Sequence, residues 1–148
     1  MSEVVFSHRI RVRYHETDAQ TFLFNSRYLE YADVAMTEFF RSLGWTYPQM
    51  LAEGFDPSVV KTSLEFRSPA RLDDLVEVQV RCSRVGTSSL TLGFVFFVDD
   101  LNICEVESVY VNVDSSIAAS RSIPEAIASK LRAATLNPRD LPTLGVRT

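Results

Sequence analysis

The chain has 148 residues, 46% hydrophobic and 23% charged, which is enough for one domain with its own core. Its formal net charge of −4 excludes the basic surface that nucleic-acid-binding proteins use. No apolar run has the length of a membrane span or a signal peptide, and the two cysteines form no metal or redox motif. We therefore expect a cytoplasmic protein without a metal ion that binds neither nucleic acid nor membrane.

The N-terminal part of the chain predicts a strand followed by one long helix. Apolar residues alternate from Phe6 to Tyr14, which is the period of a half-buried strand. Residues 26–43 then carry apolar side chains at helical spacing, with Asn25 as a candidate N-cap and Gly44 as the stop. The predicted apolar stripe of this helix consists of Tyr28, Leu29, Ala32, Ala35, Met36, Phe39, Phe40 and Leu43. A helix with so wide an apolar side needs a broad surface to cover it.

The remaining sequence predicts four strands, with short turns, and a second, shorter helix. Residues 46–56 are expected to form a loop with a short helical turn. The predicted strands are Ser58–Arg67, Leu75–Val85, Ser88–Val98 and Ile103–Val113. The third of these is apolar on both faces, which is typical of a central strand or of one that a partner subunit covers. Residues 122–133 predict a short helix that begins with a capping box.

This order of elements indicates the α+β class. A strand, a long helix and then several antiparallel strands predict a curved antiparallel sheet of about five strands wrapped around the long helix. We assign residues 1–135 to this single domain and residues 136–148 to a loose C-terminal tail. Five strands around one helix leave little interior room, so a ligand is expected at an edge of the sheet or at a subunit interface.

The segment VRYHETDAQTFLFNSRYLEYADVA, residues 12–35, resembles the hotdog-fold acyl-CoA thioesterases of the 4-hydroxybenzoyl-CoA type. That family has an aromatic residue in the loop after its first strand, then an Asp followed by Ala or Pro, and a helix with a Tyr in its first turn. Tyr14, Asp18 and Tyr28 occupy these positions. The stretch SLEFRSPARLDDLVEVQVRCSRVGTSS is also similar to the family, and the resemblance covers about residues 6–135.

The resemblance implies hydrolysis of a thioester, which needs a group that activates the attack and a group that holds the oxyanion. Asp18 is the candidate catalytic carboxylate, either as a nucleophile or as a general base on water. Free N–H groups at a helix N-terminus are suited to the oxyanion, and the resemblance assigns this role to the backbone N–H of Asn25. An Asx-turn is the alternative, structural role for Asp18. Thr21 stands where the family usually has Gly.

Three further residues are candidates for contacts with the acyl group: Tyr28, Asp33 and Thr62. Asp33 lies at the edge of the apolar stripe, where a carboxylate needs a partner, so a structural role and contact with a polar acyl end both stay open. Thr62 also suits ordinary packing on a strand. Glu16 is the competing acid, and we expect it to be solvated or paired with an Arg.

The resemblance places the phosphates of CoA near Arg84, Ser88 and Ser89, which flank a predicted turn. CoA is then part of the substrate, and no separate cofactor is expected. A homodimer or homotetramer is expected, in which Asp18 and Asn25 of one chain meet the CoA-binding residues of another.

Three alternatives stay open: an acyl-carrier-protein thioester as substrate, a non-catalytic acyl-CoA-binding protein, and a hotdog hydratase or dehydratase. The sequence does not name the acyl group, for which an aryl and a medium-length fatty acyl chain both stay open.

Overall fold

A computed structural model describes residues 6–135 of the chain. Residues 1–5 of the predicted domain and the predicted tail, residues 136–148, lie outside this described part. The elements in chain order are β1 (Phe6–Arg11), α1 (Arg27–Ser42), α2 (Tyr47–Glu53), β2 (Pro57–Phe66), β3 (Leu75–Val85), β4 (Ser89–Val98), β5 (Leu101–Asp114), β6 (Ala119–Ser120) and α3 (Glu125–Ala134). A short 3-10 turn at Tyr14–Glu16 follows β1.

The five long strands form one antiparallel sheet in the order β1-β3-β4-β5-β2, and β6 pairs with the end of β5. The predicted α+β class is therefore confirmed. β4 lies in the middle of this sheet, which explains why its sequence is apolar on both faces. The hairpin from β4 to β5 turns at Asp99 and Asp100, both with positive φ, as a two-residue turn between twisted strands requires. β1 and β2 are the two edges of the sheet.

The long helix packs on β1 and β3 and supplies much of the core. Its buried side chains are Tyr28, Tyr31, Ala32, Ala35, Met36, Phe39 and Phe40. The predicted stripe is wrong at Leu29, which is 39% exposed, while Tyr31 is buried at 1%. Tyr31 was not in the predicted stripe, and its burial is possible because its hydroxyl donates to Glu16 at 2.7 Å.

The shorter helices differ from their predictions in how they begin. α2 is a regular helix rather than a single turn, with a capping box between Thr46 and Gln49. The capping box predicted for the last helix is wrong, because Pro124 occupies the N-cap position of α3 and no side chain caps it. α3 packs against β3, and Lys130 joins α3 to the end of α1 by donating to the carbonyl of Leu43 at 2.8 Å. The sheet is therefore covered by α3 as well as by the long helix.

Candidate active site

The connection between β1 and α1 folds back on itself as a small, tightly bonded loop around Asp18. Thr17 and Leu23 face each other in a β-bridge, and the N–H of Asp18 donates to the carbonyl of Phe22 at 2.9 Å. The turn is completed by Thr21, whose φ of +64° lies in the left-handed region that favours Gly. The position where the family usually has Gly therefore has a left-handed conformation here, although a β-branched residue occupies it.

The carboxylate of Asp18 is held by one oxygen only. Its Oδ1 accepts the N–H groups of Gln20 at 2.8 Å and Phe22 at 3.2 Å, so the predicted Asx-turn is present. Among the described residues, no donor reaches Oδ2. The side chain is half-buried. The structural and the chemical roles of Asp18 are thus compatible, because one oxygen orients the carboxylate and the other remains available to a substrate or a water molecule.

The start of α1 offers free backbone donors. Ser26 occupies the N-cap position with no side-chain hydrogen bond, and Asn25 lies one residue earlier with an exposed side chain. The predicted capping role of the Asn25 side chain is therefore wrong. Within residues 6–135, the N–H groups of Asn25 and Ser26 have no acceptor, since the first bond of this turn runs from Arg27 N–H to the Phe24 carbonyl at 2.9 Å. Such donors, at the positive end of a helix dipole, suit a developing negative charge.

Asp18 and the start of α1 meet in one cleft of about 350 Å³. The residues that line it are Asp18, Phe22, Leu23, Phe24, Asn25, Tyr28, Phe66, Arg67, Ser68 and Pro69. The structure therefore brings together three of the predicted site residues, namely Asp18, Asn25 and Tyr28. The cleft wall from Phe66 to Pro69, at the end of β2, was not predicted, apart from Arg67 as a weak candidate for a CoA phosphate. The sequence carried no signal for it beyond the similarity of that stretch to the family.

Tyr28 forms the floor of this cleft. It is only 2% exposed. Its ring packs edge-on against Phe66, with ring centroids 5.2 Å apart, and at a tilt against Phe96, with ring centroids 5.4 Å apart. Its hydroxyl accepts a long hydrogen bond of 3.4 Å from the N–H of Ala70, and burial raises the pKa of the hydroxyl. Phe24 and Phe66 remain about half exposed at the mouth. The cleft therefore has an aromatic floor and an aromatic rim that suit an apolar acyl chain.

A fixed cation lies at the same mouth. The guanidinium of Arg67 contacts Glu65 at 3.2 Å and Glu105 at 3.5 Å, so two carboxylates from β2 and β5 hold it. Its charge is largely balanced by these partners. Arg67 adds a polar wall to the cleft.

Glu16, the competing acid, is buried and paired with Arg13, so the Arg pairing is confirmed and the solvated alternative is wrong. Its side chain is 2% exposed and accepts hydrogen bonds from the Arg13 backbone and guanidinium and from the Tyr31 hydroxyl. Burial by itself raises the pKa of this carboxyl, but these donors outweigh it and lower the pKa to about 2. A carboxylate with every oxygen bonded inside the protein is poorly placed to take a proton from water.

Asp33 and Thr62 do not line the Asp18 cleft of the same protomer. Thr62 Oγ1 lies 2.9 Å from Ser108 Oγ across the β2–β5 pair. Asp33 is exposed as a residue, yet partial burial of its carboxyl raises its pKa. Burial first, and the Asp33 charge second, raise the pKa of Tyr110 to about 12. Asp33 therefore lies near Tyr110 of β5 and Thr62 near Ser108 of the same strand, and neither lines the Asp18 cleft.

The predicted CoA-binding residues lie at the other end of the sheet. Arg84 is exposed and Ser88 and Ser89 are half-buried around the β3–β4 turn. β4 runs from this turn to the end of the sheet near Asp18, and its ten residues span roughly 30 Å. In a single protomer these three residues therefore do not reach the Asp18 cleft.

Residues 6–135 contain no cluster of three or more His, Cys, Asp and Glu side chains that is arranged to hold a metal ion. In the same part of the chain, no helix combines the length and apolar character needed to cross a membrane.

Comparison with known proteins identifies the class. The family model of the thioesterase-like superfamily matches residues 12–131, and the chain belongs to this family. The acyl-CoA thioester hydrolase YbgC of Escherichia coli O6:H1 is 28% identical over 133 residues, which is 89% of this chain and 99% of that protein. The predicted family is thus confirmed.

Solved structures agree on the fold. A hypothetical protein from Thermus thermophilus is 28% identical with a TM-score of 0.83, covering 90% of this chain and 100% of that chain. The structure of a gentisyl-coenzyme A thioesterase superposes with a TM-score of 0.77 at 20% identity, covering 84% of this chain and 98% of that chain, and this likeness concerns the fold alone.

Proposed function

We propose that this protein hydrolyses acyl-CoA thioesters, with Asp18 as the catalytic carboxylate and the backbone N–H of Asn25 as an oxyanion donor. The observation that carries the proposal is the cleft itself, in which a carboxylate with one free oxygen lines the same wall as unpaired amides of a helix start. Membership of the thioesterase-like family and the similarity to a protein named acyl-CoA thioester hydrolase support it.

Two balanced routes fit this geometry. In the first, Asp18 Oδ2 bonds to the thioester carbonyl carbon, the C–S bond breaks, CoA leaves as a thiolate that takes a proton, and water hydrolyses the resulting anhydride. In the second, Asp18 takes a proton from a water molecule while that water attacks the same carbon, and the proton passes on to the leaving sulfur. Both routes place negative charge on the carbonyl oxygen, where the Asn25 N–H stabilises it. Neither route uses a metal ion or an organic cofactor.

The acyl group enters the cleft between the aromatic floor and rim. Tyr28 and Phe66 present ring surface to it, so an aryl or a medium-length fatty acyl group fits this lining. Asp33 and Thr62 reach such a group only through a second protomer, since they lie towards the β2 edge.

A homodimer that pairs β2 with its own copy is the assembly that we propose. β2 is an edge strand whose outer edge has no partner among the described residues, and it exposes Val59 and Val60, the second at 60%. An unpaired apolar edge of this kind is a template for another strand. Antiparallel pairing about a two-fold axis places the Phe66 end of one β2 beside the Pro57 end of the other.

This pairing brings the predicted CoA-binding residues to the cleft. Pro57 pairs with Asn112, and Asn112 in turn donates its N–H to the carbonyl of Ser88 at 2.8 Å. The β3–β4 turn of one protomer therefore lies next to its own Pro57, and across the two-fold axis next to the Phe66 of its partner. Arg84, Ser88 and Ser89 then approach the mouth of the other protomer's cleft, where CoA phosphates extend from the thioester.

The test is release of free thiol from a panel of aryl, short and medium acyl-CoAs, with the wild type and Asp18→Asn side by side. Cleavage by the wild type that the variant loses supports the proposal, and the preferred member of the panel names the acyl group. If acyl-CoA binds but no member is cleaved, the protein is an acyl-CoA-binding protein instead. If the variant cleaves as well as the wild type, Asp18 is not the catalytic group.

A further inference from the structure

The buried carboxylate of Glu16 lies two residues before Asp18 and outside the proposed chemistry. It accepts four hydrogen bonds, three of them from Arg13: the backbone N–H at 2.9 Å, Nε at 3.1 Å and one terminal guanidinium nitrogen at 2.8 Å. The fourth comes from the Tyr31 hydroxyl, on the second turn of α1, at 2.7 Å. A buried carboxylate with this many partners fixes the segments that supply them relative to one another. We call this set of hydrogen bonds, from Arg13 and Tyr31 to Glu16, the joint.

Glu16 forms hydrogen bonds that hold both ends of the loop that carries Asp18. Through Tyr31, the side chain of Glu16 ties the start of the loop to α1. Through its carbonyl, which accepts the Phe24 N–H at 2.9 Å, the same residue ties the start of the loop to its end, one residue before Asn25. Asp18 lies between these two ties. The distance between Asp18 and the free N–H groups at the start of α1 therefore depends on the hydrogen bond that joins Glu16 to Tyr31 of this helix.

We propose that Glu16, together with Tyr31, is a positioning residue that fixes the Asp18 carboxylate relative to the N-terminus of α1. This inference rests on the proposed thioester hydrolysis, and it adds a residue that touches neither substrate nor the reacting atoms. Arg13 completes the joint from outside, with its guanidinium near solvent. Catalysis depends on alignment to a fraction of an ångström, so loss of the joint reduces turnover even though the cleft lining stays intact.

The chemistry of the joint requires a carboxylate. An amide at position 16 has one oxygen in place of two, and its NH₂ group faces the donors of Arg13 or Tyr31. Glu16→Gln therefore keeps the size of the side chain but removes its charge. It also loses either the one bond to Oε2 or the three bonds to Oε1, depending on which oxygen the NH₂ group replaces. Tyr31→Phe removes one donor and leaves the ring in the core, so it tests the tie to the helix with little risk to folding.

The experiment measures kcat and KM for the preferred acyl-CoA in four proteins: wild type, Glu16→Gln, Tyr31→Phe and the double variant. We expect Glu16→Gln to lower kcat at least about tenfold and Tyr31→Phe about threefold, with KM changed less than about twofold, because alignment rather than binding is lost. The double variant is expected to resemble Glu16→Gln alone, since both changes break one joint. Combined with Asp18→Asn, Glu16→Gln is expected to have no further effect on residual turnover.

Two controls separate positioning from general stability. Glu38→Gln removes another carboxylate of an ion pair on α1, that with Arg41, and is expected to keep wild-type kcat. Crystal structures of the wild type and Glu16→Gln give a readout that does not depend on activity, and residues 17–23 are expected to shift relative to α1 in the variant. A folded Glu16→Gln protein with wild-type kcat, or with this loop unmoved, overturns the inference. A wild type that cleaves no thioester overturns the proposed function instead, and the crystal comparison still decides the positioning.

Discussion

The two ends of the sheet hold their polar groups in different ways. At the end near Asp18, the loop before α1 is bonded to itself, to the helix and to the β2–β3 connection, where Leu23 N–H donates to the Ala70 carbonyl at 2.8 Å. At the other end, the β3–β4 turn is closed by Gly86 N–H to the Ser89 carbonyl, and the Arg84 side chain extends into solvent. The first end holds its polar groups at fixed positions, as the proposed chemistry requires. The second suits a charged tail of a ligand, which tolerates a less exact fit.

The largest effect that we predict is a loss of turnover when Asp18, at the rigid end of the sheet, is replaced. Asp18→Asn keeps an oxygen for the N–H groups of Gln20 and Phe22 but removes the charge and the basicity, so we expect kcat to fall at least about a hundredfold. Thiol release under saturating acyl-CoA measures it, and a dichroism spectrum equal to that of the wild type serves as the folding control. Turnover within threefold of the wild type would place the reaction on another group.

A pH-dependent loss of stability is the next largest effect. The pKa of Glu16 is about 2 in the folded chain against an ordinary value of 4.5, so its ionised form stabilises the fold above about pH 4.5. This contribution is lost as the pH falls from about 4.5 towards 2. We expect it to be on the order of 2–3 kcal/mol, since the exposed Arg13 guanidinium is partly screened by water.

Urea unfolding at pH 7, 4 and 3 measures this difference. The free energy of unfolding of the wild type is expected to fall more steeply with acid than that of Glu16→Gln. Glu38→Gln serves as the matched control and is expected to follow the wild type. Parallel curves for the wild type and Glu16→Gln would contradict the lowered pKa.

A smaller effect, in KM alone, is expected at the opposite end of the sheet. Arg84→Ala is expected to raise KM for acyl-CoA roughly two- to fivefold with kcat unchanged, because an exposed ion pair contributes about 1 kcal/mol or less. The acyl-pantetheine analogue, which lacks the nucleotide and its phosphates, is the matched substrate and should show no difference between the two proteins. An equal effect on both substrates would argue against a phosphate contact.

The smallest effect concerns the left-handed turn after Asp18. Thr21→Gly relieves a positive φ that costs a β-branched residue about 1–2 kcal/mol, and the greater freedom of Gly in the unfolded chain offsets about half of this. We expect a gain of roughly 0–1 kcal/mol in the free energy of unfolding. Gln20→Gly, at a neighbouring residue without a positive φ, should lose stability instead. A destabilised Thr21→Gly protein would show that the Thr21 side chain does more than fill the turn.

The elements predicted most accurately are those in which hydrophobic residues repeat with a single clear period. β3 was predicted with its observed bounds, and the long helix was placed to within one residue at each end, since burial of one face imposes the period directly. The N-cap residues of the helices were predicted least accurately. Asn25 and Ser122 both have the right chemistry for capping, but the local backbone positions Ser26 and Pro124 there instead. The predicted tail, residues 136–148, was not tested.

The sequence by itself determined the α+β class and the family, because these follow from periodicity and from a motif contiguous in the chain. The same motif singled out Asp18 as the catalytic candidate. The sequence favoured Asp18 over Glu16 as the catalytic candidate, but it left open whether Glu16 is solvated or paired with an Arg, because partners distant in the chain are not visible in the sequence. Only the tertiary structure showed how each carboxylate is held. In the structure Glu16 is buried against Tyr31, fifteen residues away in the chain. A buried carboxylate needs hydrogen-bond donors to offset the loss of water, and Glu16 has them. The structure leaves Asp18 with one oxygen free beside unpaired amides. That difference in surroundings separates the residue proposed for chemistry from the residue proposed to position it.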